Sequence, residues 1–178
     1  MEHEAHRAEA DEVTVEVVDP TDGRAEHCLA RYYAELDARM ATGFDPDASL
    51  TPDPDEVRAP RGAFLLATLR GTPVGCAALK LPDAAPAEVK RMWVDPTVRG
   101  RGLARRLLAE VEARAVAAGR PTLRLDTNGV LTAAIALYRS AGYVEVPPFN
   151  DEPHADHWFE KRLSQPSRAD DQGVPGTT

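Results

Sequence analysis

Val13–Asp19 (VTVEVVD) alternates apolar and polar positions and stops at Pro20, the pattern of a half-buried strand. Asp22 stands where a helix cap is needed. Beyond it Cys28, Tyr32, Leu36 and Met40 recur every fourth residue and predict an amphipathic helix that ends near Gly43. The periodicity then breaks. Asp45–Pro60 carries four prolines and predicts a long loop with at most a short helix. Two apolar runs, Ala63–Leu69 and Val74–Leu81, flank Arg70-Gly71-Thr72-Pro73 and predict a β-hairpin. After a turn over residues 82–87, Glu88–Val94 reads as a strand that stops at Asp95-Pro96. Leu103, Leu107, Val111 and Ala115 trace one face of a helix running to Gly119, with Glu110 and Arg114 paired at i, i+4 and Pro121 beyond its end. Thr122–Asp126 alternates again as a strand. Ala134, Leu137, Tyr138 and Ala141 line a helix closed by Gly142, and Tyr143–Val146 and His157–Leu163 are the last strands. The order β-α-loop-β-β-β-α-β-α-β-β predicts a mixed α/β domain with a hairpin-rich front half.

Length and composition sharpen this picture. The 178 residues suit one domain, placed at 13–163. Residues 1–12 hold five acids against Arg7 and are expected to stay solvated and disordered; the polar tail, 164–178, is expected to do the same. A net charge of −8 argues against general nucleic-acid affinity and against an anionic membrane surface. No apolar run approaches 18 residues and the start of the chain has no basic-then-apolar signal pattern. Cys28 and Cys76 make no disulfide framework and read as reduced, buried thiols of a cytoplasmic protein. His154 and His157, with Asp151 and Asp156 in NDEPHADHW, lack the spacing of a zinc motif. No metal is predicted, and the segment reads as a substrate-side loop or a structural turn.

The charge is unevenly spread. Residues 90–106 hold Lys90, Arg91, Arg99, Arg101, Arg105 and Arg106 against Asp95 alone. The cluster falls where a strand passes through a short loop into a helix. A helix start leaves its first N–H groups unpartnered and adds roughly half a positive charge. Gly100 and Gly102 lack a Cβ, so an anion can approach the backbone, and a diphosphate uses several N–H groups at once. A P-loop is excluded by the absence of G-x-x-x-x-G-K-[ST]. A dinucleotide fingerprint would need glycine where Arg105 stands, and four residues separate Asp95 from the first glycine, too loose for that motif's tight turn. This sets aside a dinucleotide-binding oxidoreductase, even though Asp126 lies at a suitable distance downstream.

Arg99-x-x-Gly102-x-Ala104 resembles the Gln/Arg-x-x-Gly-x-Gly/Ala signature of the GNAT superfamily of N-acetyltransferases. KRMWVDPTVRG before it looks like that family's fourth strand and its exit. AAIALYRSAGY (133–143) is similar to the family's second block, a helix with Leu-Tyr that ends at Gly-Tyr. The resemblance covers roughly Val13–Leu163 and implies the acyl-CoA N-acyltransferase fold: a central mixed, mostly antiparallel sheet flanked by helices, its fourth and fifth strands splayed. It further implies acetyl-CoA as co-substrate, with the pyrophosphate on Arg99, Gly100, Arg101, Gly102, Leu103, Ala104 and Arg105 and the pantetheine arm along Met92, Trp93 and Val94. Many members carry Asn where Leu131 stands here, and Asn128 lies three residues earlier. Dimers are frequent in the family.

Acyl transfer to an amine needs a neutral amine, a donor for the oxyanion and a proton for the departing thiolate. Tyr138 is the candidate general acid and, on the resemblance, sits beside the CoA sulfur. Glu88, eleven residues before Arg99, is the candidate general base by analogy with the protein-lysine-acetylating branch. The oxyanion donor would be a backbone N–H near Trp93 or Val94. The five carboxylates of Asp45–Glu56 are expected to attract a cationic amine, on a small molecule or a peptide. A non-catalytic CoA-binding sensor is the alternative reading.

Overall fold

The computed structural model describes residues 13–164. The expected solvated segments, 1–12 and all of the tail past Ser164, lie outside the described residues. In chain order the elements are β1 (Val13–Val18), α1 (Gly23–Arg39), β2 (Gly62–Leu69), β3 (Thr72–Lys80), β4 (Ala87–Val94), α2 (Leu103–Ala117), β5 (Thr122–Thr127), α3 (Thr132–Ser140), β6 (Val144–Glu145) and β7 (His157–Arg162). Single 3-10 turns occupy Pro54–Val57 and Pro96–Val98. Asp22 caps α1 as the sequence suggests, its carboxylate accepting from the Arg24 amide at 2.8 Å.

The strands form one seven-stranded sheet in the order β1-β2-β3-β4-β5-β7-β6. Every pairing is antiparallel except β4–β5. The unbroken apolar runs of β2 and β3 follow from burial on both faces. On one face Phe64, Leu66, Cys76 and Ala78 pack under α1 through Ala25 and Cys28. On the other, Leu65, Ala67, Ala77 and Leu79 pack under α2 through Leu103, Leu107, Val111 and Ala115, the face read from the sequence. Each leucine buried there contributes roughly 1.5–3 kcal/mol.

Two irregularities in β4 open the middle of the sheet. The strand pairs with β5 only at Ala87–Leu123 and Glu88–Arg124, and past those pairs the two part. On its other edge the register with β3 slips. Cys76 faces Trp93 while Ala78 faces Lys90, so Arg91 and Met92 together oppose Ala77 in a β-bulge. Arg91 sits in the left-handed region at φ 51°, and its carbonyl accepts from the Cys76 thiol at 3.3 Å. A bulge bends its strand and increases local twist, which steers β4 away from β5.

The hairpin also has a tight point. A Cβ on Gly62 would stand 2.2 Å from the Leu79 carbonyl oxygen and 2.5 Å from that of Glu56, both backbone atoms that cannot rotate away. Gly62→Ala is expected to cost roughly 1–3 kcal/mol, as overpacking does. In a chain of this size that lowers Tm on the order of 5 °C. Gly23→Ala, whose Cβ meets nothing within 4 Å, should melt with the parent protein in the same calorimetric scan.

Candidate active site

Along the edge of β4 that β5 has left lies a cleft of about 290 Å³. Met92, Trp93 and Val94 form its floor. Arg99, Gly100, Gly102, Leu103, Ala104 and Arg105 form one end, and α1 and α3 supply the walls through Tyr32, Leu36, Leu131, Ala134 and Leu137. Of the residues expected to hold a nucleotide thioester, only Arg101 and Tyr138 fall outside this lining. The half-exposed Ala134 and Leu137 explain why the apolar face of α3 is wider than its core contacts require. Ile135 and Tyr138 are turned into the core, while Ala133, Ala134 and Leu137 face the cleft.

The basic end has the character of an anion cradle. Gly100 and Gly102 both hold φ near 79°, and a Cβ on either would meet no protein atom within 4 Å. Glycine is therefore required there by conformation rather than by crowding. Gly102 is the N-cap of α2 and offers no side chain. The first helical bond runs from the Arg106 amide to the Gly102 carbonyl, which leaves the N–H groups of Leu103, Ala104 and Arg105 without helix partners.

Arg99 is already engaged. Its Nε donates to the Val94 carbonyl at 2.9 Å and its Nη2 to both oxygens of Glu35, at 2.8 and 2.6 Å. Glu35 also accepts from the Trp93 indole at 2.8 Å. Although burial pushes this carboxyl up, the hydrogen bonds from Arg99 and Trp93 hold it below its ordinary range. Sequence reading missed Glu35. A polar residue one position before the buried Leu36 of α1 was the available signal. The pairing fixes the Arg99 side chain and offsets its charge, so the helix amides carry more of any anion's negative charge.

A second cavity, about 100 Å³, shares Tyr32, Leu36, Met92, Leu131 and Ala134 with the first, so the two adjoin, and together they make up the site's channel. Tyr138, Lys90, Arg91, Asp126, Glu152 and His154 line it. Tyr138 is buried against Tyr143 and Phe159, and the described residues make no hydrogen bond to its hydroxyl. Burial first, and then the nearby Asp126 charge, push its phenol well above the ordinary value.

Glu88 lies outside the channel lining. It is 8% exposed, and its two oxygens face the Arg124 guanidinium at 2.9 Å and the Lys90 ammonium at 3.3 Å. Lys90 reaches on to Asp126 Oδ2 at 2.9 Å, an oxygen that also accepts from Asn150 at 2.9 Å. Burial pulls the Lys90 ammonium down, but Asp126 and Glu88 outweigh it and hold its pKa above the usual lysine value. Both contacts fall on one oxygen of Asp126, and among the described residues Oδ1 accepts no hydrogen bond. The signals for Asp126 in the sequence were the alternation of β5 and its distance downstream of Gly100, which was set aside with the dinucleotide motif.

The long loop and the NDEPHADHW segment close over this end of the channel. Glu152 accepts from Ser49 Oγ at 2.9 Å and from the Leu50 amide at 2.7 Å. The His154 ring lies 4.7 Å from Phe44 and its Nε2 meets the Asp45 carbonyl at 3.2 Å. None of the five loop carboxylates expected to attract an amine lines the cavity. Four of them make local contacts: Asp45 accepts from the Asp47 amide, Asp53 and Glu56 cap the 3-10 turn, Asp55 pairs with Arg58 and Glu56 with Lys80 of β3. His154 and His157 are not brought together, since His157 pairs with Glu145 at 2.6 Å. Leu131 lines both cavities, while Asn128 ties the turn before α3 to the roof by donating to the His154 carbonyl at 2.8 Å.

Among the described residues no helix is long and apolar enough to cross a membrane. Residues 29–143 match the model of the Acetyltransferase (GNAT) family. The chain is 38% identical over 116 residues to an IAA acetyltransferase of Azospirillum brasilense, covering 65% of this chain and 76% of that protein. It is 34% identical over 137 residues to the N-alpha-acetyltransferase RimI of Mycobacterium tuberculosis, covering 75% and 84%. The structure of a GNAT-family acetyltransferase from Staphylococcus aureus superposes with a TM-score of 0.69 at 18% identity, over 85% of this chain and all of that one.

Proposed function

The chain belongs to the GNAT family of acetyltransferases, and from that premise we propose that it carries out acetyl transfer in the channel between β4 and β5, by direct attack of a primary amine in a ternary complex with acetyl-CoA. It is an N-acetyltransferase; the alternative of a non-catalytic CoA-binding sensor finds no support. The reading of the site rests on one observation: the cleft ending at the uncapped start of α2 meets the cavity holding Tyr138 and Asp126 at the point where the two strands part.

The co-substrate supplies an activated thioester. The amides of Leu103, Ala104 and Arg105, with Gly100, Arg101 and Gly102, hold its diphosphate, and Arg99 closes that end. Met92, Trp93 and Val94 offer the pantetheine arm an open strand edge, because β5 has moved away. A backbone N–H near Trp93 or Val94 faces the oxyanion. Asp126 Oδ1 takes the proton of the attacking amine, and the Tyr138 hydroxyl gives one to the leaving sulfur. Glu88, the carboxylate singled out by sequence, reaches the channel only through Lys90, so it acts as a positioning residue for the Lys90–Asp126 pair.

Calorimetric titration should give one acetyl-CoA site per chain and no heat with NAD. CoA thiol release on a panel of primary amines should then exceed the rate of acetyl-CoA hydrolysis. Thiol release that no amine accelerates would overturn the reading of this channel.

A further inference from the structure

Two cationic side chains line the roofed cavity, and only one of them is neutralised. Lys90 faces Asp126 and Glu88. Arg91 has no carboxylate partner among the described residues. Its Nη2 donates to the Pro52 carbonyl at 3.2 Å, its guanidinium lies 5.9 Å from the Tyr33 ring centre, and its Nε is buried without a hydrogen-bond partner. A half-buried guanidinium with its Nε unpaired and no counter-ion has donors to spare, and their fork matches a carboxylate. The bulge maintains this arrangement, since the left-handed turn at Arg91 carries the strand past Ala77 in that register.

An anion that pairs with Arg91 comes either on the acceptor or on the acyl chain of the thioester. Arg91 is absent from the donor cleft and lies beneath the roof, on the acceptor side of Tyr138. Asp126 supplies the opposite charge in the same cavity. Resting on the acetyl-transfer reading, we propose that the acceptor is a small primary amine bearing its own carboxylate, an α-amino acid or a short ω-amino acid, whose carboxylate seats on Arg91 while its amine meets Asp126. The contacts from Glu152 and His154 tie the two loops together beside that cavity, and its volume of about 100 Å³ suits a small acceptor.

The test compares matched acceptors with acetyl-CoA: glycine, L-phenylalanine and 4-aminobutyrate, each beside its amide and its decarboxylated amine. At least one carboxylate is expected to exceed its neutral partners in kcat/KM by about tenfold or more, the usual scale of a charge-assisted hydrogen bond. Arg91→Gln should raise KM for that acceptor by about 10- to 100-fold, with kcat and the neutral amines little changed. Unchanged acetyl-CoA titration shows that the variant has folded, and the wild-type comparison of carboxylate with amide stands without it. The proposal fails if no carboxylate outperforms its amide, if a peptide N-terminus is the better acceptor, or if the preference survives Arg91→Gln. It fails equally if Arg91→Gln discriminates only between succinyl-CoA and acetyl-CoA, which would put the anion on the donor. A calorimetric titration of the same carboxylates in the presence of CoA separates this proposal from the catalytic one. Binding that needs Arg91 without any acetylation would sustain the carboxylate site and refute transfer in this channel; acetylation indifferent to the carboxylate would do the reverse.

Discussion

Tyr138→Phe is expected to lower kcat about 10- to 100-fold, the ordinary scale of a lost general acid, with acetyl-CoA affinity and melting temperature unchanged. The phenyl ring keeps the contacts with Tyr143 and Phe159, and no hydrogen bond to the described residues is lost, so the change isolates the proton. The pH profile gives an independent check. Burial, reinforced by the Asp126 charge, raises the Tyr138 pKa, so the phenol stays protonated across the neutral and mildly alkaline range. It should therefore contribute no falling limb to kcat below about pH 10, the value of a free phenol. A falling limb near pH 9 that vanishes in Tyr138→Phe would contradict this account of its environment.

Asp126→Asn should reduce kcat/KM at neutral pH by about 100-fold or more, in the range of a lost general base. Its deficit should shrink as pH rises, because an amine that arrives neutral no longer needs the carboxylate. A purely structural defect would not recover in that way. Glu88→Gln makes the internal comparison. It leaves the Lys90–Asp126 contact in place, so its loss should be several-fold smaller. If Glu88→Gln costs as much as Asp126→Asn and shows the same alkaline recovery, the base is Glu88 and the role assigned to Asp126 is wrong.

Most of the scaffold was readable from local pattern because its determinants are local. Alternation marked β1 and β5, four-residue spacing marked α1 and α2, and Gly100 and Gly102 marked the turn whose φ values need glycine. The roofed cavity was not readable in this way. Nothing in the sequence announces a non-glycine residue at φ 51°, so the bulge that aims Arg91 stayed hidden. Glu88 read as a carboxylate facing a cleft, because its neutralising partner Arg124 is 36 residues away on a strand whose pairing no spacing reveals. The acidic loop read as a lure for amines, because capping of the 3-10 turn and pairing with Lys80 depend on contacts made only after folding. The roof is the extreme case: Ser49 meets Glu152 across 103 residues.

The divergence of β4 from β5 also bears on the protein's lifetime. Only two residue pairs stitch the sheet's halves together along that line, so a molecule lying in the gap acts as the missing stitch. A ligand held at 100 times its dissociation constant adds about 2.7 kcal/mol against unfolding. Limited proteolysis with and without acetyl-CoA should show that gain as slower cleavage.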